Sequence, residues 1–239
     1  MKISRSKVQE DRGITESISP LKVTSLSGET IVDLQPEAVS IYRRWYTYIS
    51  REEPLPKRLG LVSSVRGEGV TSVSLGLASV MASDLEARIA LVECNWWWPS
   101  LSIIAQLGTG PGFSEFILGK ADFKDIAYGC SLPNLTFIPA GQLREIDRSR
   151  TTRSAALVEK LNSMSEQFDF LIMDIPAILV VKDSPVLAGL ADALCFVIRQ
   201  GITPMPLIKK ALDEIEHLRV RGVILNALKL NIPKSLMNI

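Results

Sequence analysis

Between residues 58 and 226 the chain alternates short, continuous apolar runs with longer stretches whose apolar positions recur every three or four residues. The runs RLGLVSS, RIALVEC, LTFIP, FDFLIMDIP, ALCFVIR and VRGVILN have the length and composition of strands buried on both faces. Between them, TSVSLGLASVMAS, SLSIIAQLG, SAALVEKLNSMSEQ and LIKKALDEIEHL read as helices. Upstream, PEAVSIYRRWYTYIS places Val39, Ile41, Tyr42, Trp45, Tyr46 and Ile49 at helical spacing, which predicts one more. Six such strands separated by helices predict a single α/β domain, with a mostly parallel sheet covered by helices on both faces. The polar, weakly periodic residues 1–35 are expected to form a flexible leader, residues 36–230 the domain, and residues 231–239 a short tail. Ligands of such sheets bind beyond the carboxyl ends of the strands, so the residues just after the apolar runs carry the chemistry.

Charge narrows the field of partners. The 239 residues carry 27 basic and 26 acidic side chains, so no overall field points to nucleic acid or to an anionic membrane. In YRRWYTY, arginines and aromatics interleave as in some nucleic-acid binders, but their helical spacing favours packing against the domain. The N-terminal MKISRSKVQEDRG lacks the apolar core of a signal peptide, and the richest apolar run, LIMDIPAILVV, is short and holds Asp174. Cys94, Cys130 and Cys195 form no ligand spacing, and a reducing, cytoplasmic setting is expected. The single histidine, His217, lies near the end of a predicted helix, where a surface position suits it, and its solitude argues against histidine-based triads and multi-histidine metal sites.

The stretch SSVRGEGVTS follows the first long strand and opens a helix. Gly67 and Gly69 can take positive φ, and the turn through Ser64, Arg66, Gly67, Glu68, Gly69, Val70, Thr71 and Ser72 can aim backbone N–H groups at an anion in front of a helix N-terminus. Thr71 holds the hydroxyl position that binds Mg²⁺ in a phosphate-binding loop of the form GxxxxGK[ST]. Ser64, however, stands at the first glycine and Val70 at the lysine, so a glycine-rich turn without a ligand is an equal reading of this stretch alone. Two further strands end in acids: FDFLIMD in Asp174, placed as a Walker B carboxylate, and RIALVE in Glu93, followed by Cys94 and Asn95.

In order along the chain, SSVRGEGVT, VECNWWWP, GFSEFILG, PNLTFIPAG, FDFLIMDIPA, LADALCFVIR and VILN resemble the motifs of the bacterial tyrosine kinases (BY-kinases), the cytoplasmic kinase domains of capsule and exopolysaccharide assembly. These kinases fall within the MinD/ParA-like P-loop NTPase class, and the resemblance runs from about residue 36 to about 228. It implies ATP or ADP with Mg²⁺ as cofactor, Glu93 and Asp174 as catalytic carboxylates, Thr71 and Asp174 as metal ligands, and Asn226 at the purine base or, alternatively, simply at a strand end. Asp183 matches a further acid of the family, or caps the helix that follows it. The implied partner is a membrane adaptor or chain-length-determinant protein of polysaccharide export, joined by association with like or unlike chains. The implied location is the cytoplasm, at the inner face of the membrane through that partner.

The departures from the family gather on the chemistry. Val70 replaces the lysine that faces the β- and γ-phosphates, and loss of one charge-stabilising group at a phosphoryl-transfer site costs roughly 10²–10³ in rate. The acid pair of the second strand becomes Glu93 and Asn95, and an amide cannot act as a base. The arginine region after it becomes Trp96, Trp97 and Trp98, read either as a docking surface or as a hydrophobic lid over the pocket. Of the family's ExxRxxR ring-assembly pattern, only Arg43 is kept, with Ser40 and Tyr46 at the other positions, and no tyrosine follows Tyr128 where the family carries a tyrosine-rich tail. The expectation is a pseudokinase-like regulator of exopolysaccharide or capsule production, with nucleotide binding weakened or lost. An active tyrosine autokinase or ATPase, using Arg66 or a partner's lysine, is the alternative, and a MinD/ParA-like positioning ATPase the second.

Overall fold

The computed structural model describes residues 18–51 and 53–227. A hairpin of β1 (Leu21–Thr24) and β2 (Thr30–Leu34) precedes helix α1 (Pro36–Ile49), followed by β3 (Arg58–Ser63), α2 (Val70–Asp84) and β4 (Ile89–Glu93). Three short helices, α3 (Leu101–Ile104), α4 (Phe113–Ile117) and α5 (Phe123–Ile126), lead to β5 (Tyr128–Gly129) and β6 (Leu135–Ile138). Then come α6 (Glu145–Thr152), α7 (Ala155–Gln167), β7 (Phe170–Asp174), α8 (Ser184–Ala188), β8 (Ala193–Arg199), α9 (Met205–Glu214) and β9 (Val220–Asn226). No helix among the described residues is long and apolar enough to cross a membrane.

The main sheet has seven strands in the order β5-β6-β4-β7-β3-β8-β9. It is parallel except for the two-residue β5, which runs antiparallel to β6. The six strands read from the apolar runs are the six long ones, because strands buried on both faces leave uninterrupted apolar stretches. The leader needs correction: its first 17 residues lie outside the described residues, but residues 21–34 fold as the hairpin. There Val23 pairs with Val32, both buried on the core that α2 shares, and Thr24 and Ser131 tie the hairpin to the segment after β5. The tail of residues 231–239 lies outside the described residues.

Helix α2 is buried from Val73 through Ala82, which explains a composition apolar and small on every side. Gly76 lets the Tyr42 ring of α1 lie against the helix backbone, where a Cβ would stand 2.6 Å from the ring. Arg43 pairs with Asp84 at the end of α2 at 2.6 Å, and the Tyr46 hydroxyl donates to the same carboxylate at 2.7 Å. The Arg43 hydrogen bond holds Asp84 below the usual carboxylate range, while burial and the neighbouring carboxylate push Tyr46 up to about 12. The one arginine kept from the ring-assembly pattern is therefore committed inside this chain. The three cysteines are free and buried, and burial pushes each thiol above its ordinary value.

Candidate functional site

β3 lies inside the sheet between β7 and β8, so the loop leaving its carboxyl end, 64–69, meets the ends of all three. Gly67 and Gly69 adopt φ of +83° and +89°, a left-handed conformation that side chains resist. At Gly69 the demand is double, because a Cβ would stand 2.1 Å from Nδ2 of Asn226. That Nδ2 donates to the Glu68 carbonyl at 2.8 Å, and Asn226 Oδ1 accepts from the Ala227 N–H at 2.9 Å. Asn226 thus ends β9 and clamps the loop; both ends of its amide are used, and it does not line the cleft where a purine contact was expected.

Glu68, between the two glycines, is fully buried. Its Oε2 accepts from the Val65 N–H at 2.8 Å, and its Oε1 accepts from the Thr203 hydroxyl and, at 3.4 Å, from the Arg199 N–H. Arg199 Nη1 donates to the Gly67 carbonyl at 3.0 Å. Glu68 therefore serves through its side chain as a pin, and Arg199 and Thr203 complete a loop support that sequence reading missed. The only sequence signal is a charged residue placed between two glycines; Arg199 and Thr203 lie more than 130 residues away. Ser64 is buried with its Oγ unpaired and does not line the cleft, so it contributes backbone to the turn and nothing to a ligand site.

A cleft of about 320 Å³ opens in front of α2. Arg66, Gly67, Glu68 and Gly69 of the loop border it with Val70, Thr71 and Ser72 of the helix, and Asn95, Trp98 and Ser100 and then Asp174 close it from β4 and β7. Val70 is half-buried and packs on the apolar core beside α2, so the first helical residue offers the cleft methyl groups and no cation. Asp174 is 2 % exposed; it hydrogen-bonds Thr71, and its Oδ2 has no partner. Burial first, and the charge of Glu93 second, push its carboxyl up to about 7.

Glu93, expected as a catalytic acid, does not line the cleft. Its Oε1 accepts from the Ser100 and Leu101 N–H groups at 2.6 and 2.9 Å, and its Oε2 accepts from the Ala140 N–H at 3.0 Å. A carboxylate holding three backbone donors is a structural tie between strand ends, not a free base. Asp183 caps no helix through its side chain; Arg153 at 2.7 Å and Ser149 at 2.5 Å hold it.

The three tryptophans divide their roles. Trp96 is buried, donates Nε1 to the Ala140 carbonyl at 3.1 Å and stacks on Phe113 at 6.2 Å, and Trp97 packs beside it. Trp98, held by the Asn95 side chain accepting from its N–H at 3.2 Å, faces the cleft, and the Arg66 guanidinium lies 3.9 Å over its ring. The segment is one part core and one part cleft wall.

The donor set fits half of a magnesium nucleotide. Thr71 and the unpaired Asp174 Oδ2 offer the oxygens that a small divalent cation takes, and the left-handed glycines keep the cradle for phosphate open. Position 70 does not fit, because no charge stands there to meet a phosphate.

No family model matches the chain. It is 27% identical over 173 residues to EpsB of Ralstonia nicotianae, which covers 72% of this chain and 23% of that protein. It is 25% identical over 173 residues to the tyrosine-protein kinase CpsD of Streptococcus agalactiae, covering 71% of this chain and 75% of that one. The chain therefore spans about a quarter of the length of EpsB and three quarters of CpsD. Among solved structures, the VpsO kinase domain superposes with a TM-score of 0.71 at 23% identity, over 81% of this chain and 96% of that one. The septum site-determining protein MinD of Pyrococcus horikoshii, complexed with Mg-ADP, superposes at 0.61 with 19% identity, over 76% and 75%. With its loop and acid-tipped strands in the same order, the chain is similar in sequence to these bacterial tyrosine kinases, and it shares its fold with the VpsO kinase domain and MinD.

Proposed function

We propose that this protein is a pseudokinase-like member of the bacterial tyrosine kinase family that regulates exopolysaccharide or capsule production and export through protein partners, with nucleotide binding weakened or lost. The observation that carries this reading is Val70, seated on the apolar core at the position where the loop needs a cation. The capture of Glu93 by three backbone N–H groups supports it, since only one of the two expected acids faces the cleft. The partner proposed is a membrane adaptor or chain-length-determinant protein, which brings the chain to the inner face of the membrane.

The test is genetic and enzymatic together. In a strain lacking the gene, wild-type protein and Asp174→Asn should restore polymer output equally, and the purified wild type should show neither ATP hydrolysis nor tyrosine autophosphorylation. Loss of output with Asp174→Asn, in a protein that folds normally, would overturn the reading. It would favour the active ATPase or autokinase, for which the Thr71–Asp174 pair and the cleft-lining Arg66 are the supporting features.

A further inference from the structure

The segment that walls the nucleotide cleft with Asn95, Trp98 and Ser100 borders a second hollow with Trp96 and Pro99. This hollow is about 500 Å³, and its other walls include Glu115 of α4, Gln142, and Arg144 and Arg148 at the start of α6. Arg144 is the N-cap residue of α6 and Arg148 lies in its first turns, and both border the hollow. Arg144 spends its Nε on Asp147 at 2.6 Å. Arg148 differs: its Nε is shielded from solvent and has no hydrogen-bond partner. Among the described residues no carboxylate pairs with Arg148, so the remaining guanidinium N–H groups of this hollow-lining arginine are free for an acceptor.

The opposite wall sets the character of that acceptor. The Glu115 carboxylate is fixed by the Gly112 N–H at 2.9 Å, the Ser114 hydroxyl at 3.0 Å and the Gln142 N–H at 3.0 Å. Its charge disfavours a doubly charged phosphate in the same space, whereas a singly charged carboxylate fits the planar fork of an arginine. Glu115 keeps lone pairs that only a donor can use, and the Gln142 side chain offers both a donor and an acceptor. Pro99 and the edge of Trp96 supply an apolar wall. We propose that this hollow binds a carboxylated sugar, its carboxylate on Arg148 with Arg144 as second cation, and its ring hydroxyls on Glu115 and Gln142. The proposal stands whether the nucleotide cleft is live or silent.

Calorimetric titration of the full chain with glucuronate tests it, with glucose and inorganic phosphate as comparison ligands. Glucuronate should bind in the millimolar range, glucose should not, and phosphate should fail to displace glucuronate. Arg148→Ala should weaken binding by about tenfold or more, the size expected for losing a charged hydrogen bond, and Arg148→Lys by less. Lys209→Ala, on the exposed face of α9, should leave it unchanged. Absence of glucuronate binding at tens of millimolar would overturn the proposal, as would equal binding by a folded Arg148→Ala. Phosphate binding as tightly as glucuronate would overturn the sugar-acid assignment. If Arg148→Ala does not fold, the wild-type contrast between glucuronate and glucose decides.

Discussion

A valine at position 70 does two things: it removes a charge from the cleft and adds methyl groups to the core beneath α2. Val70→Lys should therefore raise affinity for Mg·ATP by about tenfold or more, because the loop geometry for phosphate is otherwise in place. Calorimetry on the two proteins in parallel checks this, and equal affinities would mean that Arg66, lifted from Trp98, already supplies the charge. Glu68 makes a second test at this scale. Glu68→Ala leaves the Val65 and Arg199 N–H groups without their acceptor and should cost roughly 1–3 kcal/mol in denaturant unfolding. The turn at Gly67 and Gly69 and the place of Asp174 at the end of β7 were legible because each directly follows a continuous apolar run. The fates of Glu93 and Asn226 were not. Whether a carboxylate or an amide faces a ligand or a backbone donor depends on loops that cross from elsewhere, such as Ala140 for the one and Glu68 for the other.

At the scale of elements, the six long strands follow from continuous apolar runs, α1, α7 and α9 from helical spacing and α2 from its run of small and apolar residues, while the hairpin and β5 do not. β1 and β2 place only Val23 and Val32 in the core, too few to make a period stand out from a polar background. The helix predicted over residues 100–108 shortens to α3, because Gln106 and Gly108 take φ of +54° and +73°, which a right-handed helix cannot run through. Helix α4 is seated on the turn after β6: Phe113 and Ser114 donate to the Pro139 and Ala140 carbonyls at 2.7 and 2.9 Å. The approach needs glycine at 112, where a Cβ would stand 2.3 Å from the Gly141 nitrogen and 2.4 Å from the Pro139 oxygen. Backbone cannot step aside as a side chain can, so Gly112→Ala should destabilise the protein by more than about 2 kcal/mol. Thermal melts of the two proteins measure this, and an unchanged midpoint would refute the close seating.

For the whole molecule, the order of motifs around one sheet was readable, and low identity did not hide it, because each motif sits at a strand end that the fold requires. What the sequence could not show was the electrostatic state of that edge. Asp174 holds its proton up to about pH 7 when folded but only to about 3.8 when unfolded. Between those values the folded state binds more protons, so this group's contribution to stability falls as pH rises from about 4 to about 7, then levels off. Asp174→Asn should flatten that decline and give the variant the higher melting temperature at pH 8. A melting series across pH checks both signs, and parallel curves for the two proteins would contradict the buried, unpaired carboxyl.

The same burial that silences acids in this core also shelters sulfur. The chain has three cysteines and all are enclosed, Cys94 and Cys195 completely. A thiol reagent can reach Cys94 and Cys195 only when the sheet itself comes apart, so the pace of their alkylation is a clock for global opening. For the same reason, a single cysteine engineered on the surface would take a spectroscopic label alone. Distances between copies, or between the chain and a partner, then become measurable without first stripping the native sulfur from the core.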